Sequence, residues 1–222
     1  FIQSVQYEDF PDEAIALAKR CIIDGLGVML AGSTQPAGQI LHDYIKDTDT
    51  RTHTTVFGTQ VYKTSSAAAA LVNGTSGHAL DWDDTQLATS ADRIFGLLTH
   101  PTIPPMVASL ALGEREGISG KQFLEAFLTG FDSSATVGTF GAAVAAAKLL
   151  NLNPEQTEHM LAIAASSASG IRVNFGTMTK PLHVGRAAQN GIVAAELAAC
   201  GFTGGKDPLD PPWGFFQTFS QG

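Results

Sequence analysis

The sequence has little charge and very little cysteine. Acidic and basic residues make up 15% of its 222 residues, whereas hydrophobic residues make up 44%. The two cysteines, Cys21 and Cys200, fall within apolar helical patterns, which excludes a small domain held together by several disulfides. We interpret them as small hydrophobic side chains in a reducing, cytoplasmic compartment. The shortage of charge predicts helices that are covered by other helices or by a partner subunit.

Long hydrophobic runs and an excess of basic residues are also missing. No uninterrupted apolar run reaches the roughly 20 residues of a membrane-spanning helix, and no basic segment followed by an apolar one marks a signal peptide. The formal net charge is -8 and the isoelectric point is about 5.1. Because nucleic acids and anionic membranes attract basic surfaces, neither is an expected partner.

The sequence does contain a series of helical patterns. Apolar residues recur at helical spacing over residues 11–31, 37–45, 65–80, 104–116, 138–150 and 181–199. Further helices begin at residues 119–122 and 153–156. The only strand-like segment is the short β-branched run at residues 52–57. The chain has no internal repeat, and the predicted fold class is all-α with about eight helices.

Capping residues mark several of the predicted helix ends. Ser119 with Gln122, and Asn153 with Gln156, form capping-box patterns in which each side chain satisfies a free backbone amide of the other residue. Gly117 follows one predicted helix, and Gly201 follows the last long one.

An acidic motif follows the alanine-rich helix at residues 65–80. Asp81 and Asp84 are three positions apart, so on a helix both carboxylates face the same side while Asp83 points away. The helix dipole opposes carboxylates near a helix C-terminus, which favours a functional role for this cluster. The alternative is a solvated helix end that Asp side chains cap.

A metal site is a further interpretation of the same region. His78, Asp81, Asp84 and His100 carry side chains that bind divalent cations. No two of them have the spacing of a familiar metal-binding motif, and no second acidic cluster matches this one, so we rank this interpretation last.

Basic side chains concentrate in a region that has no acidic residue. Between His159 and Ala195 there is no Asp or Glu, yet the region contains Arg172, Lys180, His183 and Arg186. The last three are spaced by three positions around the predicted start of a helix, where free backbone amides also attract anions. A small anionic ligand such as a carboxylate accounts for this pattern. The alternatives are a surface lysine and a histidine satisfied within the core.

Four motifs together resemble the MmgE/PrpD family, which includes 2-methylcitrate dehydratase, cis-aconitate decarboxylase and iminodisuccinate epimerase. They lie at residues 73–85, 100–101, 136–143 and 174–191, in the family's order. The resemblance implies that residues 1–222 form the family's large helical domain. It also implies a homodimer, and a smaller α/β lid domain that is absent from this chain.

The resemblance also assigns roles to particular residues. The family's acidic motif falls on Asp81 and Thr85, its loop histidine on His100 and its lysine on Lys180. The shared chemistry is proton removal next to a carboxylate of a small di- or tricarboxylic acid, without metal or organic cofactor. We therefore expect Asp81, His100 and Lys180 to be catalytic, with substrate-binding roles for Asp84, Thr85, Arg172, His183 and Arg186.

The expected activity is that of a hydro-lyase of the 2-methylcitrate dehydratase type. Lys180 and its basic neighbours neutralise the charge that develops next to the carboxylate, while His100 and Asp81 supply the acid and the base. A decarboxylase or an epimerase of the same family is the alternative, because both reactions follow from the same intermediate. A catalytically inactive helical module for dimerisation or binding is the alternative from another class.

The sequence departs from the family pattern at two places. The family carries a further segment with a histidine before the motif at residues 136–143, whereas this chain passes directly from residues 129–132 to residues 133–136. The resemblance also implies a lid domain and returning helices, which are not part of residues 1–222.

Overall fold

The computed structural model describes residues 1–85, 100–133, 138–210 and 212–219, without the side chains of Asp132, Ser133, Arg172 and Phe219. Its α-helices are α1 (Asp12–Gly32), α2 (Pro36–Thr48), α3 (Ser66–His78), α4 (Ile103–Glu116), α5 (Gly120–Ser133), α6 (Gly138–Leu149), α7 (Pro154–Ser167), α8 (Thr179–Ala199) and α9 (Phe215–Phe219). Short 3-10 helices lie at Tyr7–Asp9 and Arg172–Asn174. The predicted all-α class is confirmed, and no α/β lid occurs within these ranges. The predicted loop at residues 86–99 and the junction at residues 134–137 lie outside the described residues.

Two short strands form an antiparallel hairpin, of which the sequence predicted only the first. β1 (Thr54–Val56) pairs with β2 (Tyr62–Thr64) in the register Thr54↔Thr64 and Val56↔Tyr62. A strand of three residues is too short to show alternation, so β2 had no detectable pattern. The Thr54 hydroxyl donates to the carbonyl of Ala111, 2.9 Å away, and this bond attaches the hairpin to α4.

The capping patterns behave as predicted. Asn153 and Gln156 form a reciprocal capping box at the start of α7. Gln122 N–H donates to the Ser119 hydroxyl at 3.3 Å, while the Gln122 amide oxygen accepts from Ser119 N–H at 2.9 Å. Gly117 ends α4 in the left-handed conformation, with φ 65. Local sequence signals therefore set these helix ends.

Helix α3 lies at the centre of the domain. Twelve of its thirteen residues are buried, and it packs against α1, α2, α4 and α8. Most of its side chains are small, which lets the neighbouring backbones approach closely. Around it the core is filled by large buried side chains such as Met29, Ile103, Phe127 and Ile192. Burying one such side chain contributes about 1.5–3 kcal/mol.

The contact between α3 and α8 is made at glycines. A Cβ on Gly74 would lie 2.9 Å from Gly185 Cα, and a Cβ on Gly185 would overlap with the Leu71 carbonyl and the Thr75 hydroxyl. The two helices run antiparallel, because Asp81, seven residues after Gly74, reaches Lys180, five residues before Gly185. The end of α3 is thereby placed beside the start of α8.

Both cysteines are free, but they differ in exposure. Cys21 is partly buried, and burial raises the pKa of its thiol. Cys200 is exposed at the C-cap of α8, so it does not lie inside the helix as its apolar pattern indicated. The helix ends one residue before it, at a turn that Gly201 completes with φ 87. None of the described helices combines the length and hydrophobicity needed to cross a membrane.

Candidate active site

The acidic motif begins where α3 ends. His78 is the last residue of α3, and its side chain is 2% exposed. Asp81 then takes a left-handed conformation, with φ 57, and residues 81–84 are not helical. The prediction that Asp81 and Asp84 share a helical face while Asp83 points away is therefore wrong. The turn instead directs Asp83 into the protein.

The Asp83 carboxylate lies between two imidazoles. Its Oδ1 is 2.8 Å from His78 Nδ1 and its Oδ2 is 3.3 Å from His100 Nδ1, while the side chain is only 1% exposed. Burial acts to raise the pKa of Asp83, but hydrogen bonding and positive charge from His100 and His78 outweigh it, and the pKa lies below its usual value. Asp83 is thus a buried, charged group with two partners.

His100 completes the acidic side of the site. Its ring packs edge-on against that of His78, with the centroids 4.3 Å apart, and its Nε2 lies 3.7 Å from Asp81 Oδ1. Burial acts to lower the pKa of His100, but Asp83 and Asp81 outweigh this effect and raise the pKa above 6.5. Near neutral pH, His100 is therefore protonated more often than a free histidine.

Lys180 joins the basic motif to the acidic one. It lies in the first turn of α8, and its Nζ is 2.5 Å from Asp81 Oδ1. The ammonium also lies 5.3 Å from the centroid of the Phe175 ring, within cation–π range. The hydrogen bond from Lys180 is the main reason that the pKa of Asp81 is lowered. At the start of α8, Thr179 N–H donates to the Thr177 hydroxyl at 3.2 Å and Lys180 N–H donates to the Thr177 carbonyl at 3.1 Å, so the first two amides, which we expected to be free for an anion, are already engaged.

Asp84 is directed to a different place from Asp81. Its carboxylate accepts from the backbone N–H of Thr102 at 3.2 Å and from the Thr102 hydroxyl at 2.8 Å, at the N-cap of α4. Burial raises the pKa of Asp84 even though these hydrogen bonds act in the opposite direction. These contacts hold the start of α4 beside the acidic motif.

The other predicted substrate-binding residues are less closely joined to this cluster. Thr85 is exposed. The His183 ring lies beside Gly170, where an added Cβ would be 3.2 Å from its Nδ1. Arg186 is exposed and donates to Gln189 Oε1 at 2.6 Å. Arg172 lies in the second 3-10 helix, but its side chain is outside the described part of the chain.

Four side chains of the cluster are close enough together to be considered as ligands of one metal ion. One ligand atom each from His78, Asp81, Asp83 and His100 can be chosen so that all lie within 4.8 Å of one another. Asp83 belongs to this group, whereas the sequence had suggested Asp84. Lys180 already neutralises Asp81, however, and His78 already hydrogen-bonds to Asp83. The arrangement therefore fits proton transfer between organic groups better than cation binding.

A cavity of about 520 Å³ lies elsewhere in the domain. Apolar side chains dominate its lining, including Phe1, Phe140, Leu161 and Phe215. The described lining holds no acidic or basic side chain, so this cavity offers no acid–base chemistry. The cluster at Asp81 is the better candidate for the active site because the charged groups converge there.

The fold and this cluster define a class of protein. It is a helical domain in which carboxylates, two imidazoles and an ammonium meet between the end of α3 and the start of the antiparallel helix α8. The sequence profile of the MmgE/PrpD N-terminal domain matches residues 1–222. The chain belongs to the MmgE/PrpD family, which confirms the resemblance noted in its motifs.

Curated relatives carry one type of name. The chain is 34% identical to human cis-aconitate decarboxylase, with 96% of the chain and 48% of that protein aligned. It is 27% identical to cis-aconitate decarboxylase of Aspergillus terreus, with 97% of the chain and 48% of that protein aligned. The chain thus spans about half the length of the curated relatives it matches. The human alignment covers 238 positions, more than the chain's 222 residues, so the human protein has residues without a counterpart here.

Sequence reasoning missed the position of Asp83 and the part played by His78 beside it. A signal was present in the composition of α3. A helix this rich in alanine, serine and glycine is buried on all sides, so a histidine at its end is buried too and requires a polar partner. The nearby aspartates were the available partners, but the turn at Asp81 that selects Asp83 has no sequence signal.

Proposed function

We propose that this chain carries the acid–base site of a cofactor-independent lyase that decarboxylates a small polycarboxylate of the cis-aconitate type. The observation that carries the proposal is the convergence of His100 Nε2 and Lys180 Nζ on Asp81, at 3.7 Å and 2.5 Å. The names of the relatives support decarboxylation over other reactions. Because the chain aligns with only about half the length of these relatives, we assign the proposed activity to the full-length protein.

The reaction needs one proton and a place for negative charge. When cis-aconitate loses the carboxylate on its methylene carbon, the electrons of that C–C bond form a new alkene with the central carbon. The former alkene carbon next to the remaining carboxylate then takes a proton. A trianion and one proton become a dianion and CO2. The site must therefore bind several carboxylates, stabilise a dienolate and deliver a proton to carbon.

The described side chains suit these tasks. Lys180 supplies positive charge next to the developing dienolate. His100 is the proton donor, because its raised pKa makes it protonated more often near neutral pH than a free histidine and its Nε2 faces the Lys180 side. Asp81 is a poor base because its pKa is lowered, so it better serves to hold Lys180 and His100 together. His183, Arg186, Arg172 and Thr85 remain proposed contacts for further substrate carboxylates.

Dehydration of 2-methylcitrate is the second proposal within the family. It requires the same positive charge and a proton donor for the departing hydroxyl, which His100 also provides. We place decarboxylation first because the similar relatives carry that name.

The test is product analysis with the full-length protein in D2O. Incubation with cis-aconitate is expected to give an unsaturated five-carbon dicarboxylate that carries one solvent deuterium at its methylene next to a carboxylate, detected by NMR. If only 2-methylcitrate were turned over, the activity would be dehydration instead of decarboxylation. If only iminodisuccinate were turned over, it would be epimerisation. No turnover of any of the three would leave a binding or dimerisation module.

We also propose a cytoplasmic homodimer. Large apolar side chains remain exposed on α1 and α2, including Ile23 at 70%, Leu30 at 51% and Ile40 at 58%. A second copy covering this surface would remove that area from water. Light scattering after gel filtration gives the mass directly, and a monomeric mass at micromolar concentration would contradict the dimer.

A further inference from the structure

Asp83 is unusual because one buried carboxylate contacts two histidines. Its side chain is 1% exposed and that of His78 is 2% exposed, so neither group reaches water readily. A carboxylate in such a place is strongly destabilised unless hydrogen-bond donors surround it. Both imidazoles approach it through the same atom, Nδ1, at 2.8 Å for His78 and 3.3 Å for His100.

This geometry selects which nitrogen of each ring carries a proton. In a neutral imidazole one nitrogen donates and the other accepts. A lone pair on His100 Nδ1 would face the charged Oδ2 of Asp83 and repel it, whereas an N–H at that position is attracted. His100 Nδ1 is buried, and among the described residues it has no well-aligned hydrogen-bond acceptor. The Asp83 Oδ2 atom lies 3.3 Å from this nitrogen.

We propose that Asp83 is a positioning residue that holds His100 with Nδ1–H toward Asp83 and Nε2 toward Asp81 and Lys180, while His78 anchors Asp83 from the other side. The effect on turnover rests on the proposed function, in which His100 Nε2 delivers the proton. The orientation of the ring does not depend on that function.

Asp81 alone does not fix the His100 ring in this way. It is 55% exposed, its Oδ1 lies 3.7 Å from His100 Nε2, and the same oxygen receives the hydrogen bond from Lys180. A water-exposed carboxylate that is already bound to an ammonium fixes the orientation of a neighbouring ring only weakly. The buried and better-fixed contact is the one on the Nδ1 side.

The first measurement requires no substitution. In the full-length protein with 15N-labelled histidine, two-bond 1H–15N NMR spectra above the pKa of His100 report its neutral tautomer, with assignment by loss of the signals in His100→Asn. The expected form has the proton on Nδ1. A His100 that is mostly protonated on Nε2 would overturn the proposal, whatever the activity.

The second measurement uses Asp83→Asn. An asparagine keeps the size of the side chain but removes the charge, so His100 is expected to move toward a mixture of tautomers. With the active substrate, kcat is expected to fall by up to about 10⁴-fold, the loss that follows when the orienting carboxylate of a catalytic imidazole is replaced by an amide. KM is expected to change little. A merely structural aspartate would lower thermal stability without changing the tautomer.

Asp43→Asn is the matched control. Asp43 also lies beside a histidine, 3.8 Å from His42 Nδ1, but its side chain is 80% exposed. This variant is expected to keep the His100 tautomer and kcat. If Asp83→Asn kept both as well, the proposal would be wrong. If the tautomer changed as expected but no substrate were turned over even by wild type, only the proposed function would fail.

Discussion

Lys180 Nζ lies 2.5 Å from Asp81 Oδ1, although the two residues are 99 positions apart in the sequence. The pair links the first turn of α8 to the turn that follows α3. Asp81 is also close to His78 Nε2 and His100 Nε2, at 3.6 Å and 3.7 Å. Lys180 thus neutralises Asp81 at the exposed end of the cluster, while Asp83 contacts both histidines at its buried end.

Replacing Lys180 by Met is expected to abolish nearly all turnover. Removing a single group that stabilises developing charge lowers kcat by about 10²- to 10³-fold. The side chain is 19% exposed and takes no part in the core, so the helical circular dichroism should be unchanged. Lys206→Met, at an exposed position, is the control and should keep wild-type kinetics. Unaltered kcat/KM in Lys180→Met would remove Lys180 from the mechanism.

Gly185→Ala is expected to destabilise the domain by about 3 kcal/mol, because its Cβ would overlap with the backbone carbonyl of Leu71. Gly27→Ala is the matched control, since it is also helical but its Cβ would have no neighbour within 4 Å. There the better helix propensity of alanine should stabilise by up to about 1 kcal/mol. Urea denaturation measures both, and equal free energies of unfolding for the two variants would refute the glycine contact.

The contribution of His100 to stability should depend on pH. Its pKa is raised in the folded state, so the folded protein binds its proton more tightly than the unfolded chain does. The stabilisation is fully present below the unfolded pKa near 6.5 and is lost as the pH rises through the higher folded value. Free energies of unfolding for wild type and His100→Asn, measured from pH 5 to pH 9, should therefore converge with increasing pH. A difference that grew with pH would contradict the assignment.

Asp49, which lies far from the candidate site, gives a corresponding prediction for stability at low pH. Burial acts to raise its pKa, but the Ser65 hydroxyl and the Arg51 amide and guanidinium outweigh burial and lower the pKa from 3.8 to about 2. This corresponds to about 2 kcal/mol of stability, present above pH 3.8 and lost as the pH falls through about 2. Asp49→Asn should lose it at pH 7, whereas Asp47→Asn, at an exposed position of α2, should not. Thermal unfolding at pH 7 and pH 3 separates them.

Chelators are expected to leave activity unchanged. To bind a divalent cation, Asp81 Oδ1 would have to give up the Lys180 ammonium, and His78 and Asp83 would have to give up their hydrogen bond. Dialysis of the full-length protein against EDTA, followed by kcat measurement and metal analysis, tests this point. Activity lost on dialysis and restored by one particular cation would favour the metal interpretation of the cluster instead.

Much of the fold could be predicted because its signals are local. The helix periodicity, the Asn153–Gln156 capping box and Gly117 each act within a few residues, and each occurs where predicted. Strand β2 could not be predicted, because three residues carry no period and their pairing with β1 depends on contacts with α4. Propensity describes a segment, whereas a short hairpin is stabilised by what it packs against.

The candidate site could likewise be predicted only in part. Residue types and motif spacing pointed to Asp81, His100 and Lys180, and the structure brings these three together. The directions of the aspartates could not be predicted, because a left-handed residue at Asp81 ends the helical arrangement on which that prediction relied. Aspartate tolerates this conformation better than most residues, but nothing in its neighbours requires it. Arg186 was placed by helical spacing alone, and its described contact is with Gln189 instead.

The start of α8 leaves the binding of anions to side chains. Its first two amides already have acceptors within the chain, because Thr179 N–H donates to the Thr177 hydroxyl at 3.2 Å and Lys180 N–H donates to the Thr177 carbonyl at 3.1 Å. The next residue, Pro181, has no N–H. A protein without the Lys180 ammonium would therefore keep only the weak attraction of the helix dipole for a carboxylate at this position.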